Sequence, residues 1–265
     1  MRAHQVLAAL LVGLLVVGVL GSPAPAQRGL GGKGRHQRQS DPARPEPAAG
    51  EYGLDGASAV DAVDRGEGQQ ALDYYERVAR AAEAQGDLGR AARAEQAATT
   101  AARRLGRYQR AIQSGRRAVG LFRRATGLSV QDLGSWVSTY GHLGAAYRTV
   151  GDLPRARQMF EEGIELSRTR LSGRREEQAE GYLLNGLARI TYAQHDYQTA
   201  LARSAEAARF FESAESHLPA KGSERARAKL RRWTVESLLG LGRAELALDH
   251  PAKAGAAFDR GLKLA

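Results

Sequence analysis

The chain has 265 residues, no cysteine, 6% aromatic residues and a formal net charge of +10. Without cysteine it can form no disulfide, no thiolate metal site and no lipid-attached N-terminal cysteine. Alanine and arginine dominate and β-branched runs are scarce, so the material favours helices over strands.

Residues 1–26 read as a targeting segment. Arg2 and His4 precede an apolar run from Val6 to Leu20, which ends in Gly21-Ser22-Pro23-Ala24-Pro25-Ala26. The small residues Ala24 and Ala26 predict cleavage after Ala26 and a mature start at Gln27. About fifteen apolar residues fall short of the roughly twenty that span a bilayer, and Arg2 alone is no twin-arginine signal. General export to the periplasm or the outside of a bacterial cell is the expectation, the bacterial source being inferred from the Ala/Arg/Gly-rich composition. Residues 27–60 are rich in Gly, Pro, Arg and Gln with no periodic apolar face, so a disordered leader is expected there. The stretch from Gly29 to Gly34 has the glycines of a phosphate-cradling loop, but no strand precedes it.

From residue 61 to 265 one turn recurs: a short polar break, then Leu, Tyr or Pro, then Ala three residues on. It appears at Gly86-Asp87-Leu88 with Ala91, Gly106-Arg107-Tyr108 with Ala111, Gly151-Asp152-Leu153 with Ala156, His195-Asp196-Tyr197 with Ala200, and Asp249-His250-Pro251 with Ala254. Before the third turn stand Tyr140, Leu143, Gly144 and Tyr147, and after it Ala156, Phe160, Gly163 and Ile164. Both sets recur at three- and four-residue spacing, which gives each helix one face to bury. Glycine at 151 stops the first helix, and Asp152 caps the second through a backbone N–H. Leu143, Leu187 and Leu241 stand at one fixed distance before Ala156, Ala200 and Ala254. The helix between the Gly86 and Gly106 turns could serve as second helix of one hairpin and first of the next.

This grammar resembles the tetratricopeptide repeat, strongly over 137–167 and 235–262. Successive turn alanines from Ala111 to Ala254 are 45, 44 and 54 residues apart, against about 34 in the usual repeat, which is similar to the longer-helix, kinesin-light-chain-like branch. Near Leu187, Ala188 and Thr191 stand where the family has glycine and tyrosine, and Ser204 replaces a bulky residue. The resemblance implies an all-α solenoid of stacked antiparallel hairpins, with the first helix of each pair lining a concave surface.

No catalytic grouping, metal-ligand cluster, nucleotide loop or cofactor motif is present in the sequence, so no enzymatic role, small-molecule substrate or cofactor is expected. The His195-Asp196 and Asp249-His250 neighbours are explained by turn capping. Charge is the remaining feature: no Asp or Glu occurs from Gln96 to Gln131, while eight arginines do. On a helical wheel of 108–124, Tyr108, Ala111, Ile112, Ala118, Val119 and Phe122 share one arc and Arg110, Arg117 and Arg124 lie opposite, predicting a solvent-facing basic face. Such a face keeps a protein soluble, and it also suits an anionic membrane surface or an acidic partner.

Placing Tyr140, Leu143, Gly144 and Tyr147 toward the core turns His142 and Arg148 toward the flank that the family uses as its groove. On the next two first helices the corresponding candidates are Tyr182, Asn185, Arg189, Tyr192 and Arg243. Amide and guanidinium groups there suit a protein or peptide carrying acidic residues. The expected function is therefore an exported scaffold for protein–protein interaction. The alternatives are a regulatory or targeting array of a larger envelope protein, with an effector such as a protease beyond Ala265, and a polyanion or nucleic-acid binder. Export and the lack of aromatic-plus-basic motifs argue against the last. Leu262 and Leu264 close the sequence without a polar covering face, so self-association, docking of a partner or a continuing native chain is expected at that end.

Overall fold

A computed structural model describes residues 52–265, and within them it places ten α-helices and no strand. The expected signal peptide, its cleavage site and the leader up to residue 51 lie outside the described residues. The helices are α1 (Gly56–Asp64), α2 (Gly68–Ala84), α3 (Leu88–Arg104), α4 (Tyr108–Arg124), α5 (Val130–Thr149), α6 (Leu153–Arg170), α7 (Arg174–Ala193), α8 (Tyr197–Ser216), α9 (Glu224–Ala247) and α10 (Pro251–Leu264). The array starts earlier than the sequence suggests. Tyr52 is 5% exposed against Tyr74 and Tyr75, and α1 covers 56–60, so residues 52–60 belong to the first hairpin rather than to a disordered leader.

Each helix packs on its neighbours in sequence, and α1, α3, α5, α7 and α9 also pack successively on one another. The odd-numbered helices therefore form an inner layer and the even-numbered ones an outer layer, giving five hairpins. This settles the helix between the Gly86 and Gly106 turns. It is α3, the first helix of hairpin two, and the Gly86 turn joins hairpins rather than making one. The turn that closes hairpin one is at Gly66, which keeps the turn glycine and the alanine at Ala71 but has Gly68 where the five turns named above have Leu, Tyr or Pro.

Local chemistry explains the breaks. Gly66, Gly86, Gly106 and Gly151 take left-handed φ values of 80°, 77°, 74° and 87°, and His195 and Asp249 take the same position at 63° and 59°. Asp and His enter this region more readily than most side chains. Each closes the preceding helix with one backbone bond: Asp152 N–H to Tyr147 O, Asp196 N–H to Thr191 O and His250 N–H to Glu245 O, all 2.9 Å. Asp87, Asp152 and Asp196 then cap the next helix by accepting from the N–H of Arg90, Arg155 and Thr199. Capping explains Asp196 as expected. It does not explain Asp249, which stops a helix, while His250 makes no side-chain cap and instead contacts Glu245 Oε2 at 2.8 Å.

The middle hairpins share an aliphatic and aromatic core built on Tyr140, Leu143, Phe160, Leu183, Leu187, Ile190 and Phe211. The signature residues around Tyr140 are buried as the periodicity requires: Tyr140 3%, Leu143 1%, Tyr147 7%, Ala156 0% and Phe160 2% exposed. The long spacing between turns goes into the first helices, since α5 and α7 have 20 residues and α9 has 24, against 17 in α3.

Candidate functional site: a basic cleft on the inner layer

The inner helices run parallel, so side chains at matching heights meet across the layer. Gly56 on α1, Gln96 on α3, Ser135 and Ser138 on α5, Arg174, Arg175, Gln178 and Tyr182 on α7 and Trp233 on α9 line a cleft of about 450 Å³. Its middle is aromatic: the His142 and Tyr182 rings are 6.0 Å apart edge to face, and the Tyr182 and Trp233 rings are 5.6 Å apart. Both edges of this step are cationic. Toward the hairpin starts lie Arg174, Arg175 and Lys229, whose Nζ sits 4.8 Å above the Trp233 ring. Toward the turns lie Arg103, Arg148 and Arg189.

The electrostatics are one-sided. Burial first, and then Arg189, hold the Arg148 guanidinium below its ordinary pKa, with Arg103 acting the same way. Burial lowers Lys229 too, helped by Arg174, Arg232 and Arg225, although its side chain still reaches solvent at the cleft mouth. Burial, with Arg103 nearby, pushes the His142 imidazole down to about 3, so it is neutral at physiological pH. Several polar atoms here lack partners among the described residues: Gln96 Oε1, Arg103 Nε and His142 Nδ1. Gln96 is 2% exposed and spends its Nε2 on Thr100 Oγ1 at 3.2 Å. At one lip, Arg225 on α9 reaches Asp61 on α1 at 2.9 Å, joining the first and last inner helices.

Of the groove residues expected from sequence, His142, Arg148, Tyr182 and Arg189 come together on the inner layer. Arg189 is already held by Glu236 on α9 at 3.1 Å. Tyr192 and Arg243 form a separate pair at the turn end, with the guanidinium 5.0 Å over the ring. Asn185 departs from expectation. It is 7% exposed, because it stands at the same distance before its turn alanine as Gly141, where a Cβ would meet Tyr182 of the next inner helix at 2.5 Å. That register faces the neighbouring inner helix, not a ligand.

Gln96, Arg174, Arg175 and Trp233 were not singled out from sequence. The signal for Trp233 existed: Ser135, Ala179 and Trp233 occupy equivalent positions before Ala156, Ala200 and Ala254, and all three line the cleft. Arg110, Arg117 and Arg124 are exposed on one side of α4, as the wheel places them, but they are not free. Arg110 meets Glu76 at 2.5 Å, Arg117 meets Glu83 and Glu95 at 3.1 Å each, and Arg124 meets Glu83 at 3.7 Å. The acid-free stretch is answered by acids on the neighbouring helices α2 and α3.

Among the described residues no group of three or more His, Asp or Glu side chains could hold a metal ion, and no helix is long and apolar enough to cross a membrane. A tetratricopeptide repeat family matches residues 136–176. No curated protein matches the chain. Among solved structures, the nearly identical TPR-like repeats of a putative kinesin light chain from Podosopora anserina are similar at 15% identity and a TM-score of 0.55, covering 79% of this chain and 92% of that one. A point variant of the same repeats gives 17% identity with the same score and coverage. BtubC (BKLC) from P. vanneervenii is 16% identical over 74% of this chain and 90% of that one, with a TM-score of 0.43. Residues 136–176 thus match a tetratricopeptide repeat, and the described residues share the stacked-hairpin α-solenoid fold of the putative kinesin light chain repeats.

Proposed function

We propose that this chain is an exported, non-catalytic scaffold that holds an acidic segment of another protein along its inner layer. Tetratricopeptide folds typically serve as protein-interaction scaffolds, and the cleft supplies the chemistry for an acidic ligand. The observation that carries the reading is the set of cations around the aromatic step. Arg189 and Arg103 lie close enough to help lower Arg148, Arg174 lies close enough to help lower Lys229, and the cleft lining offers only Asp55 against Arg174 and Arg175. A carboxylate entering the cleft relieves that repulsion and forms charge-assisted bonds with guanidinium groups. Export rests on the apolar run and small-residue pattern before Gln27.

Fluorescence anisotropy with a labelled Glu-rich peptide and its Gln-substituted counterpart tests the cleft. The Glu peptide should bind, lose affinity as salt rises, and weaken by about tenfold or more with Arg148→Ala. Equal binding of the two peptides would remove the acidic-ligand reading. N-terminal sequencing of the secreted protein, with Gln27 expected first, tests export.

A further inference from the structure

The inner helix α9 carries its cations on two opposite faces, and the fold treats the two faces differently. Arg227 and Arg231, one turn apart, share Glu215 of α8 at 3.4 Å and 2.9 Å, so the outer layer neutralises them. Arg225, Lys229 and Arg232 recur at the four- and three-residue spacing of a single helix face, roughly opposite the first pair. That face joins the cleft. Lys229 stands over the ring of Trp233, which lines the cleft, and Arg174 of α7, another lining residue, lies close enough to help lower Lys229, as do Arg232 and Arg225. The cations of the cleft therefore continue as a stripe along α9.

One carboxylate already sits on this stripe, and it comes from the first helix of the array. Asp61 of α1 accepts from Arg225 Nη2 through both of its oxygens, at 2.9 Å and 3.0 Å, across a separation of 164 residues. The other acids of this helix region are engaged locally: Asp55 caps α1 through Ser58, and Asp64 holds Arg104. The same helix also forms part of the cleft wall, since Asp55 and Gly56 line it together with Arg174, Arg175 and Trp233. A carboxylate that follows the cations from the cleft onto α9 thus reaches a place that Asp61 occupies. Asp61 shows which chemical group the stripe accepts.

The pair is also built to exchange. The Arg225 and Asp61 side chains are 83% and 42% exposed, so water screens their attraction and replacing one carboxylate by another costs little. Permanent bridges between the helices look different: Asp132 and Glu180, which hold Arg93 and Arg168, are 9% and 3% exposed and lie out of a ligand's reach.

We propose that Arg225, Lys229 and Arg232 extend the ligand surface beyond the cleft, and that Asp61 is its internal occupant, exchanged for a carboxylate of the bound acidic segment. The exchange rests on the acidic-segment reading and adds that α1 restrains the ligand-free site. Fluorescence anisotropy with a labelled Glu-rich peptide and its Gln-substituted counterpart tests it. Asp61→Asn should tighten the Glu peptide by about fivefold, because Arg225 is released, and leave the Gln peptide unchanged. In an Arg225→Gln background the same substitution should give no gain, whereas the mere removal of a nearby negative charge would act in both backgrounds. Arg232→Gln should weaken the Glu peptide by about threefold or more, and unchanged affinity there would overturn the stripe as a ligand surface. Asp61→Ser is a second route to the same release, and circular dichroism should show every variant fully helical. A wild type that prefers the Glu peptide while neither Asp61 variant binds it more tightly, or a gain that persists without Arg225, would overturn the exchange and leave the acidic-segment reading standing. Equal binding of the two peptides by both the wild type and D61N would overturn the two together.

Discussion

Hairpins one and two meet through alanine, whereas hairpins three and four meet through large side chains. In α2–α4 the buried positions include Ala71, Ala79, Ala82, Ala91, Ala92, Ala97, Ala98, Ala101, Ala102 and Ala111, each at most 2% exposed. In α5–α8 they include Tyr140, Leu143, Phe160, Leu183, Ile190 and Phe211. An alanine removes little apolar area from water, so the first region depends on close helix approach and on pairs between helices. Arg104 reaches Asp64 at 2.8 Å, and the α4 arginines reach Glu76, Glu83 and Glu95. The second region depends on aromatic rings set against glycines. One hairpin geometry is therefore reached by two packing solutions, and they should fail differently.

The largest expected effect lies in the second solution. Phe160 fills the space between Gly144 and Gly186, so Phe160→Ala leaves a cavity that two helices cannot close, and a loss of about 3–5 kcal/mol is expected in urea denaturation. A loss below about 1 kcal/mol would mean that the glycines are not held apart by the ring. In the first solution the danger is reversed. Ala98 is 0% exposed in a layer of alanines, and Ala98→Leu has no room, so overpacking should cost about 1–3 kcal/mol. A variant as stable as the wild type would mean that the alanine layer yields to a larger side chain and is not held by close approach.

A smaller effect is expected from the ion pairs of the alanine region. Glu83 serves both Arg117 and Arg124, with side chains 36%, 48% and 65% exposed. Water screens such pairs, so Glu83→Gln should cost no more than about 1 kcal/mol, and less in high salt. A larger, salt-independent loss would show that the pairing, not the alanine contact, holds α2 against α4.

The same contrast decides what the sequence reveals. Around Tyr140 the large residues recur at helical spacing and the turn glycine is present, so both helices, their buried faces and the stop at Gly151 can be read directly. Around Ala97 nearly every face carries alanine, and the period alone cannot say which face is buried or whether α3 opens or closes a hairpin. The turn at Gly66 is hard to see because the helix before it, α1, has only nine residues and little periodicity to announce it. In the cleft, Tyr182 and Arg189 are legible as flank residues. Asn185 is misplaced because a few tens of degrees around a helix separate a groove position from one facing the next inner helix. The carboxylate partners of Arg110, Arg117 and Arg124 come from other helices, which a helical wheel of one segment does not contain.

The smallest expected effect is the one whose sign is most informative. Glu95 lies in the alanine region at 3% exposure, bound to Arg117 Nε at 3.1 Å. Burial raises its carboxyl pKa, and Arg117 and a hydrogen bond with Ser114 offset that only in part. Because the folded pKa is above the unfolded one, the native state holds this proton to higher pH than the unfolded chain does. The cost of ionising Glu95 is therefore complete above its folded pKa and disappears as pH falls below the ordinary carboxylate value. Glu95→Gln removes that cost and leaves Arg117 its second partner, Glu83, at 3.1 Å. At neutral pH the variant should equal or exceed the wild type by up to about 1 kcal/mol. Near pH 4, about the ordinary carboxylate pKa, the difference should shrink. Urea denaturation at the two pH values measures both. A variant clearly less stable at neutral pH would show that the buried pair with Arg117 stabilises the alanine region outright, which would make charge rather than close approach the main bond between its helices.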